Sequence, residues 1–216
     1  MQSHVVSKRR VADHGEVLTG QHEVDAMVGL VHREAERIES RFLEPACGNG
    51  NFLADILQRK LSVVDKRYGK SQLDYERYAV LAVSSIYGID IQVDNVEQCR
   101  TRLLEIFEGS YASLFKGRTK PRCLAAVQFI LKRNIIWGDA LTLKTIGPTP
   151  EHITFSEWSP INGSLLKRRD FTYQGLMAHE DTRELPLFSE LGDDVFIPVP
   201  KAEYAPIHFL DLADAE

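Results

Sequence analysis

The stretch Phe42-Leu43-Glu44-Pro45-Ala46-Cys47-Gly48-Asn49-Gly50-Asn51-Phe52-Leu53 decides how the rest of the chain is read. An apolar pair leads into an acid, and Pro45 with two glycines must then end a strand and form a tight loop. Beyond the loop, Leu53, Ile56, Leu57, Leu61 and Val64 recur at helical spacing. The local order is therefore strand, glycine loop, helix.

Working outward, residues 22–40 carry Val24, Met27, Val28, Val31, Ala35 and Ile38 on one stripe, which predicts an amphipathic helix packed on a core. A helix is predicted from Gln72 to Ser85, with the Ser71 hydroxyl as its cap and Asp74 three residues on. Ile86 to Ile91 is short, apolar and closed by an acid, the pattern of a buried strand. Asp94 is expected to cap the next helix, which carries Val96, Leu103, Leu104 and Phe107. A helix near Arg122–Lys132 precedes a second apolar run, Asn134 to Leu141, and Ile153 to Trp158 is a fourth strand candidate. Strands alternating with helices predict an α/β fold, a mostly parallel sheet with helices on both faces.

The chain has 216 residues with 44% hydrophobic and 26% charged side chains, and a mean hydropathy of -0.22. Those values describe one globular domain with a core, and exclude a disordered or fibrous chain. No apolar run approaches the ~18 residues of a membrane span, and the start lacks the pattern of a signal peptide, so a cytoplasmic location is expected. Cys47, Cys99 and Cys123 lie far apart, and the seven histidines show no ligand spacing, so neither a disulfide framework nor a metal site is expected.

The net charge of -5 is unevenly spread. Residues 180–216 hold 10 acids against Arg183 and Lys201, a balance of -8 that leaves +3 for residues 1–179. This segment also contains Pro186, Pro198, Pro200 and Pro206, and reads as an acidic, irregular arm. The predicted organisation is an N-terminal helical segment over 1–40, an α/β domain over 41–179, and the arm over 180–216.

In an open parallel sheet, ligands bind beyond the carboxyl ends of the strands. Three successive strands should end there in Glu44, Asp90 and Asp139, with Gly48 and Gly50 beside the first. Glycines let backbone approach a ligand closely. A carboxylate at the second strand end suits a ribose diol, and one at the third suits an adenine amino group. A dinucleotide site would want G-x-G-x-x-G and an acid about 20 residues on. Here Leu53 takes the third glycine's place, Asp90 lies 40 residues after Gly50, and Glu44 would repel phosphate. Glu44 would instead attract an ammonium, which favours S-adenosylmethionine.

These residues resemble a family. Phe42-Leu43-Glu44-Pro45-Ala46-Cys47-Gly48-Asn49-Gly50-Asn51-Phe52-Leu53 is similar to the D-P-A-C-G-S-G-x-F-L motif of adenine-specific DNA methyltransferases. Tyr87 to Ile91 resembles their ribose-binding motif, and Gly138 to Leu141 their adenine-binding motif. His14 to Gly20 looks like the G-x-x-x-T-P segment that precedes them in the modification subunits of type I and related restriction systems, with Gly20 in the proline's place. The matches cover residues 11–141 in order. The resemblance implies a Rossmann-like methyltransferase fold, possibly truncated, with S-adenosylmethionine bound by Thr19, Glu44, Pro45, Ala46, Cys47, Gly48, Gly50, Phe52, Asp90, Ile91, Asp139 and Ala140. Thr19 can equally be a helix cap and Cys47 a small residue in a tight loop.

The family carries N-P-P-Y or a variant at the end of its fourth strand, where the target amine is held and the flipped base is stacked. Ser159-Pro160-Ile161-Asn162 would occupy that place here, keeping a serine and one proline but no aromatic, with Trp158 the nearest ring. The implied catalytic residues are Ser159, Pro160 and Trp158. Only 56 residues follow Pro160, too few for the remaining strands and a target-recognition domain. Lys167, Arg168 and Arg169 are candidates for holding DNA phosphates, as are Lys8, Arg9 and Arg10. The expected partners are DNA and a specificity or other restriction-modification subunit. A catalytically degenerate cofactor-binding subunit, or an RNA or protein methyltransferase, fits the cofactor motifs as well.

Overall fold

The computed structural model describes residues 19–177 and 199–214. Helices α1 (Gln21–Leu30) and α2 (His32–Ala35) precede strand β1 (Phe42–Glu44). Helices α3 (Asn51–Tyr68) and α4 (Gln72–Ser84) lead to β2 (Ile86–Asp90), and α5 (Val93–Leu114) and α6 (Pro121–Asn134) lead to β3 (Ile135–Asp139). Then come β4 (Lys144–Thr145), β5 (Thr154–Pro160) and β6 (Leu165–Thr172), and after the second described stretch begins, β7 (Ala202–Glu203), β8 (Ile207–His208) and a 3-10 helix (Phe209–Asp214).

The protein is α/β, with parallel and antiparallel strands. In the first sheet β1, β2 and β3 are parallel neighbours in sequence order, and β4 closes the far edge antiparallel to β3. Since the order never reverses, right-handed crossovers place the helices that connect these strands on one face. The alternation of the strands agrees: Ile86 and Ile135 belong to the large core with Leu57, Val83, Phe107 and Ile130. Tyr87, Ile89 and Ile136 point the other way, into a second cluster with Ile153, Phe155 and Tyr173. The expected second layer of helices is thus replaced, among the described residues, by residues from β5 and the short helical segment 173–177.

β5 does not join the parallel sheet. Its residues pair antiparallel with β6, from Thr154 opposite Thr172 to Pro160 opposite Leu166, and β7 and β8 extend this second sheet on the other side of β6. Only twelve residues separate Glu151 from Gly138, with no helix between, so the chain lacks the crossover that a fourth parallel strand requires.

Several local expectations change. The stripe of residues 22–40 is broken at Val31, where φ is -113° and ψ 26°. Val24, Val28, Ala35 and Ile38 are buried as expected, whereas Met27 and Val31 face solvent. α4 starts as predicted, its Ser71 hydroxyl accepting the Asp74 N–H at 3.4 Å. Asp94 does not cap α5. It sits in the first turn, and the N-cap position is Gln92, whose own N–H is taken by Asp90. The end of the acidic arm is joined to the body: Phe209 and Leu212 are buried, and Arg122 pairs with Asp211 at 2.6 Å.

Lys60, on the apolar side of α3, is fully buried. Its ammonium donates to the Ile38 carbonyl at 3.1 Å, the Ser85 hydroxyl at 2.7 Å and the Ser40 carbonyl, and it lies over the Phe42 ring. One cation thereby ties the chain entering β1 to the chain entering β2.

Candidate functional site

Register determines where the three acids stand. Glu44 lies opposite Gly88, and Asp90 opposite Trp137, so each strand ends two residues beyond its neighbour on the β1 side. Glu44, Asp90 and Asp139 are thus brought to one end of one sheet. Their alternation relative to Gly88 and Trp137 also sets all three on the face that carries the helices.

The glycine loop is held to β2 by backbone and side chain together. The Cys47 N–H donates to the Ile89 carbonyl at 2.9 Å, and the Gly48 N–H donates to Asp90 Oδ2 at 2.8 Å. Asp90 Oδ1 accepts from the Gln92 N–H at 2.8 Å and from Asn95 Nδ2 at 3.2 Å. Asp90 therefore closes the loop and starts α5 at once. A carboxylate has about four acceptor positions, so Oδ2 keeps one for a ligand hydroxyl.

Gly48 and Gly50 have φ of 52° and 85°, which L side chains rarely adopt. A Cβ on Gly50 would stand 2.6 Å from Cys99 Sγ, and one on Gly88 would stand 3.0 Å from Cys47 Sγ. Backbone approach at both places is required by the packing of the two thiols. The hydrogen bond with Cys99 and burial hold the Cys47 thiol far above the ordinary thiol range, so Cys47 is an inert packing residue beneath the loop. Asn49, between the glycines, is buried, and its Oδ1 accepts no hydrogen bond from the described residues. A buried acceptor without a donor is an unusual feature of a folded protein and suits a ligand donor.

Burial raises the Glu44 carboxyl above its ordinary value, against the lowering bond from the Ala46 N–H. Asp139 Oδ1 accepts from the Leu141 N–H at 2.9 Å and shapes the turn after β3. Pro45 and Ala46 are exposed, Phe52 is half-buried against the core, and Ala140 packs beside the second cluster. Ile91 is exposed, and its carbonyl accepts from Trp137 Nε1 at 3.0 Å. Thr19 caps nothing with its side chain: the N-cap of α1 is Gly20, and the Thr19 carbonyl accepts from Asn51 Nδ2 at 2.9 Å. That bond brings the chain before α1 to the mouth of the glycine loop.

The second group of expected residues is carried elsewhere. Ile153 touches Gly138 near the carboxyl end of β3, the Ser156 carbonyl accepts from the Tyr87 hydroxyl at 3.2 Å, and Glu157 pairs with Arg41, just before β1. β5 thus runs across the sheet from the carboxyl ends toward the amino ends. Ser159 and Pro160 lie past that point and are not brought to Glu44 or Asp90. Trp158 is buried, edge-on to Phe129 at 6.0 Å.

Lys167, Arg168 and Arg169 are each engaged with an acid. Lys167 meets Glu203 at 2.7 Å, and Arg169 meets Glu157 at 2.7 Å. Arg168 is buried and bidentate on Asp170, at 2.8 and 2.6 Å. Although burial raises it, Asp170 is brought below its ordinary value by the bonds from Arg168 and Ser156. The run therefore staples β6 to its neighbours and is not a free basic strip. Lys8, Arg9, Arg10 and His14 to Leu18 lie outside the described residues.

Sequence reasoning missed Asn49 and Asn95, and the dual duty of Asp90. A buried amide and a helix-starting acid five residues from its partner carry no pattern distinct from ordinary capping. Among the described residues, no cluster of three or more His, Cys, Asp or Glu could hold a metal ion, and no helix is long and apolar enough to cross a membrane. The chain matches no family model, and no curated protein or solved structure is significantly similar to it.

Proposed function

We propose that the crevice at the carboxyl ends of β1, β2 and β3 binds S-adenosylmethionine, and that the chain is the cofactor-holding part of an adenine-specific DNA methyltransferase that acts with a partner protein. The observation that carries this reading is the glycine loop itself: two positive-φ glycines, a buried acceptor at Asn49 without a donor, and acids on three adjacent strand ends. Glu44 would face the ammonium of the methionine moiety. Asp90 Oδ2 would accept from a ribose hydroxyl, Asp139 from the adenine amino group, and the Asn49 amide oxygen from a further donor.

The bound cofactor would supply an electrophilic methyl group on a sulfonium. The chain's part is then to fix that group in place, and proximity of this kind can lower a barrier by about 7–11 kcal/mol. Holding the target amine needs acceptors at the same crevice. Ser159 and Pro160 are directed to the opposite ends of the strands, so the acceptors would come from a second protein. β1 supports that assignment. It has one hydrogen-bonded neighbour among the described residues, and its Leu43 is 40% exposed beside Met27 and Val31. A strand added on that free edge would reverse the strand order at Glu44 and create the switch point at which open α/β sheets bind ligands.

Photocrosslinking with methyl-labelled S-adenosylmethionine tests the reading. The chain should take up label, excess S-adenosylhomocysteine should suppress it, and the chain alone should transfer no methyl group to duplex DNA. Sequence-specific methylation of duplex by the chain alone would contradict the need for a partner, and absence of specific labelling would contradict the cofactor site.

A further inference from the structure

A second recess lies where the carboxyl end of α6 meets β5, β6 and the C-terminal elements. It has two parts that share Phe129, Arg168 and Tyr204. The inner part is a cavity of about 270 Å³, walled by those three residues with Trp158, Pro206 and Leu212. The outer part is a cleft of about 610 Å³ that adds Lys132, Arg133, His152 and Lys201. Neither belongs to the crevice above the glycine loop.

One side of the inner part is built of flat π groups, and the other of the aliphatic Pro206, Ile207 and Leu212. The Arg168 guanidinium lies 4.1 Å from the Tyr204 ring centre, 5.9 Å from that of Trp158 and 6.0 Å from that of Phe129. Asp170 and Ser156 fix its orientation, with Ser156 Oγ at 3.2 Å from Nε, so its planar face is set before any ligand arrives. Trp158 is 5% exposed, and its Nε1 finds no acceptor among the described residues. An indole N–H is a donor only, and a buried donor without an acceptor is disfavoured unless a ligand supplies one.

The outer cleft has the charge to hold an anion beside that ring-shaped space. The side chains of Lys132 and Lys201 are exposed there. Arg133 stacks on Phe129 at 4.5 Å, so its cation stands at the boundary of the two parts. The acids on the cleft wall are Glu151 and Asp170, and Arg168 neutralises the second.

We propose that cavity and cleft together bind a nucleotide unit, with the base among Phe129, Trp158, Tyr204 and Arg168 and its phosphate against Lys132 and Lys201. Aromatic rings beside a basic groove are the elements by which proteins hold single strands without reading their sequence. The same chemistry recognises a free nucleotide. Trp158 Nε1 donates to an acceptor on the base edge, a bond that an aliphatic occupant could not accept.

The chain contains two tryptophans, Trp137 and Trp158, so Trp137→Phe leaves Trp158 as the only indole reporter. The full chain with that substitution is titrated with octathymidylate and, separately, with adenosine monophosphate. Each titration is repeated with saturating S-adenosylmethionine. Saturable change in Trp158 fluorescence is expected, unaffected by S-adenosylmethionine. Tighter binding of the octamer identifies a strand as the ligand, and equal binding identifies the mononucleotide. Lys132→Ala with Lys201→Ala should weaken octamer binding roughly 10-fold and reduce the log–log salt slope by about 0.7, the value for the one phosphate no longer neutralised. These lysines are exposed, so the double variant keeps the fold, which circular dichroism checks. No signal from either probe, a signal abolished by S-adenosylmethionine, or affinity unchanged in the double variant would overturn the proposal.

Discussion

At Gly50 the backbone holds φ of 85° while Cys99 Sγ fills the space where a Cβ would go. Gly50→Ala therefore combines backbone strain with a clash and should lower stability by about 1–3 kcal/mol. Gly109, inside α5 with nothing within 4 Å of its added Cβ, is the matched control. Gly109→Ala should raise stability by roughly 0.5–1 kcal/mol, because alanine favours the helix and loses less freedom on folding. Urea midpoints of the two variants check both signs. Equal effects would show that the loop is not held as described.

Lys60 gives a pH dependence at the same scale. Burial lowers its pKa to about 7, against an unfolded value near 10.4, while three oxygens accept from it. Between those values the unfolded chain binds more protons than the folded one, so stability rises with pH across that window. The cost of carrying the buried charge is fully present below pH 7. Urea midpoints should therefore climb from pH 7 to 10, and Lys60→Met should flatten the climb. A midpoint that falls over that window in the unmodified chain would contradict the burial of this ammonium.

At the scale of elements, β1, β2 and β3 and the helices between them were legible because one period governed each segment. The five apolar residues of α3 recur at helical spacing, and Ile86–Asp90 is apolar on both faces because both faces are covered. β5 was legible as a strand but not in its partner. Burial does not alternate in Thr154–Pro160, where Phe155 to Trp158 are all buried, and the sequence says nothing about whether the neighbour comes from β1 or from β6. The crossing of β5 toward the amino ends follows from the short connection after β3, which carries no helix. Of the site, the glycine loop and the three acids were readable because they sit at strand ends, whereas the Gly48–Asp90 bond depends on how segments 42 residues apart meet, and the Asp90–Asn95 bond, five residues apart, has the spacing of ordinary capping. The placement of β5 has a direct consequence for Ser159, which bonds within the hairpin to Glu157 and Arg169 at 3.4 Å. In a reconstituted, methyl-transferring complex, Ser159→Ala should leave the transfer rate within about 2-fold, since losing one transition-state hydrogen bond would cost roughly 10-fold or more. A loss of 10-fold or more would place Ser159 at the reacting amine after all.

For the whole molecule, the distribution of charge and the placement of β5 decide behaviour. The acids of residues 180–198 stand in sequence apart from a body that carries +3 over residues 1–179. If that segment competes with phosphate, neutralising Glu180, Asp181, Glu184, Glu190, Asp193 and Asp194 to their amides should strengthen duplex binding at low salt, and the gain should vanish as salt rises. This change spares Phe209 and Leu212, which belong to the core. Unchanged affinity in a filter-binding series would refute the competition. The central proposal is a working cofactor site at the strand ends, although β5 carries Ser159 and Pro160 to the opposite ends of the sheet. Isothermal titration calorimetry on the purified chain tests it most directly. Saturable heat is predicted with S-adenosylmethionine, and none with nicotinamide dinucleotides. Asp90→Ala should weaken binding by about 1.5–3 kcal/mol, as hydrogen bonds to a charged group and the closure of the loop are lost. No heat with S-adenosylmethionine or with S-adenosylhomocysteine, or equal affinity in Asp90→Ala, would contradict that site.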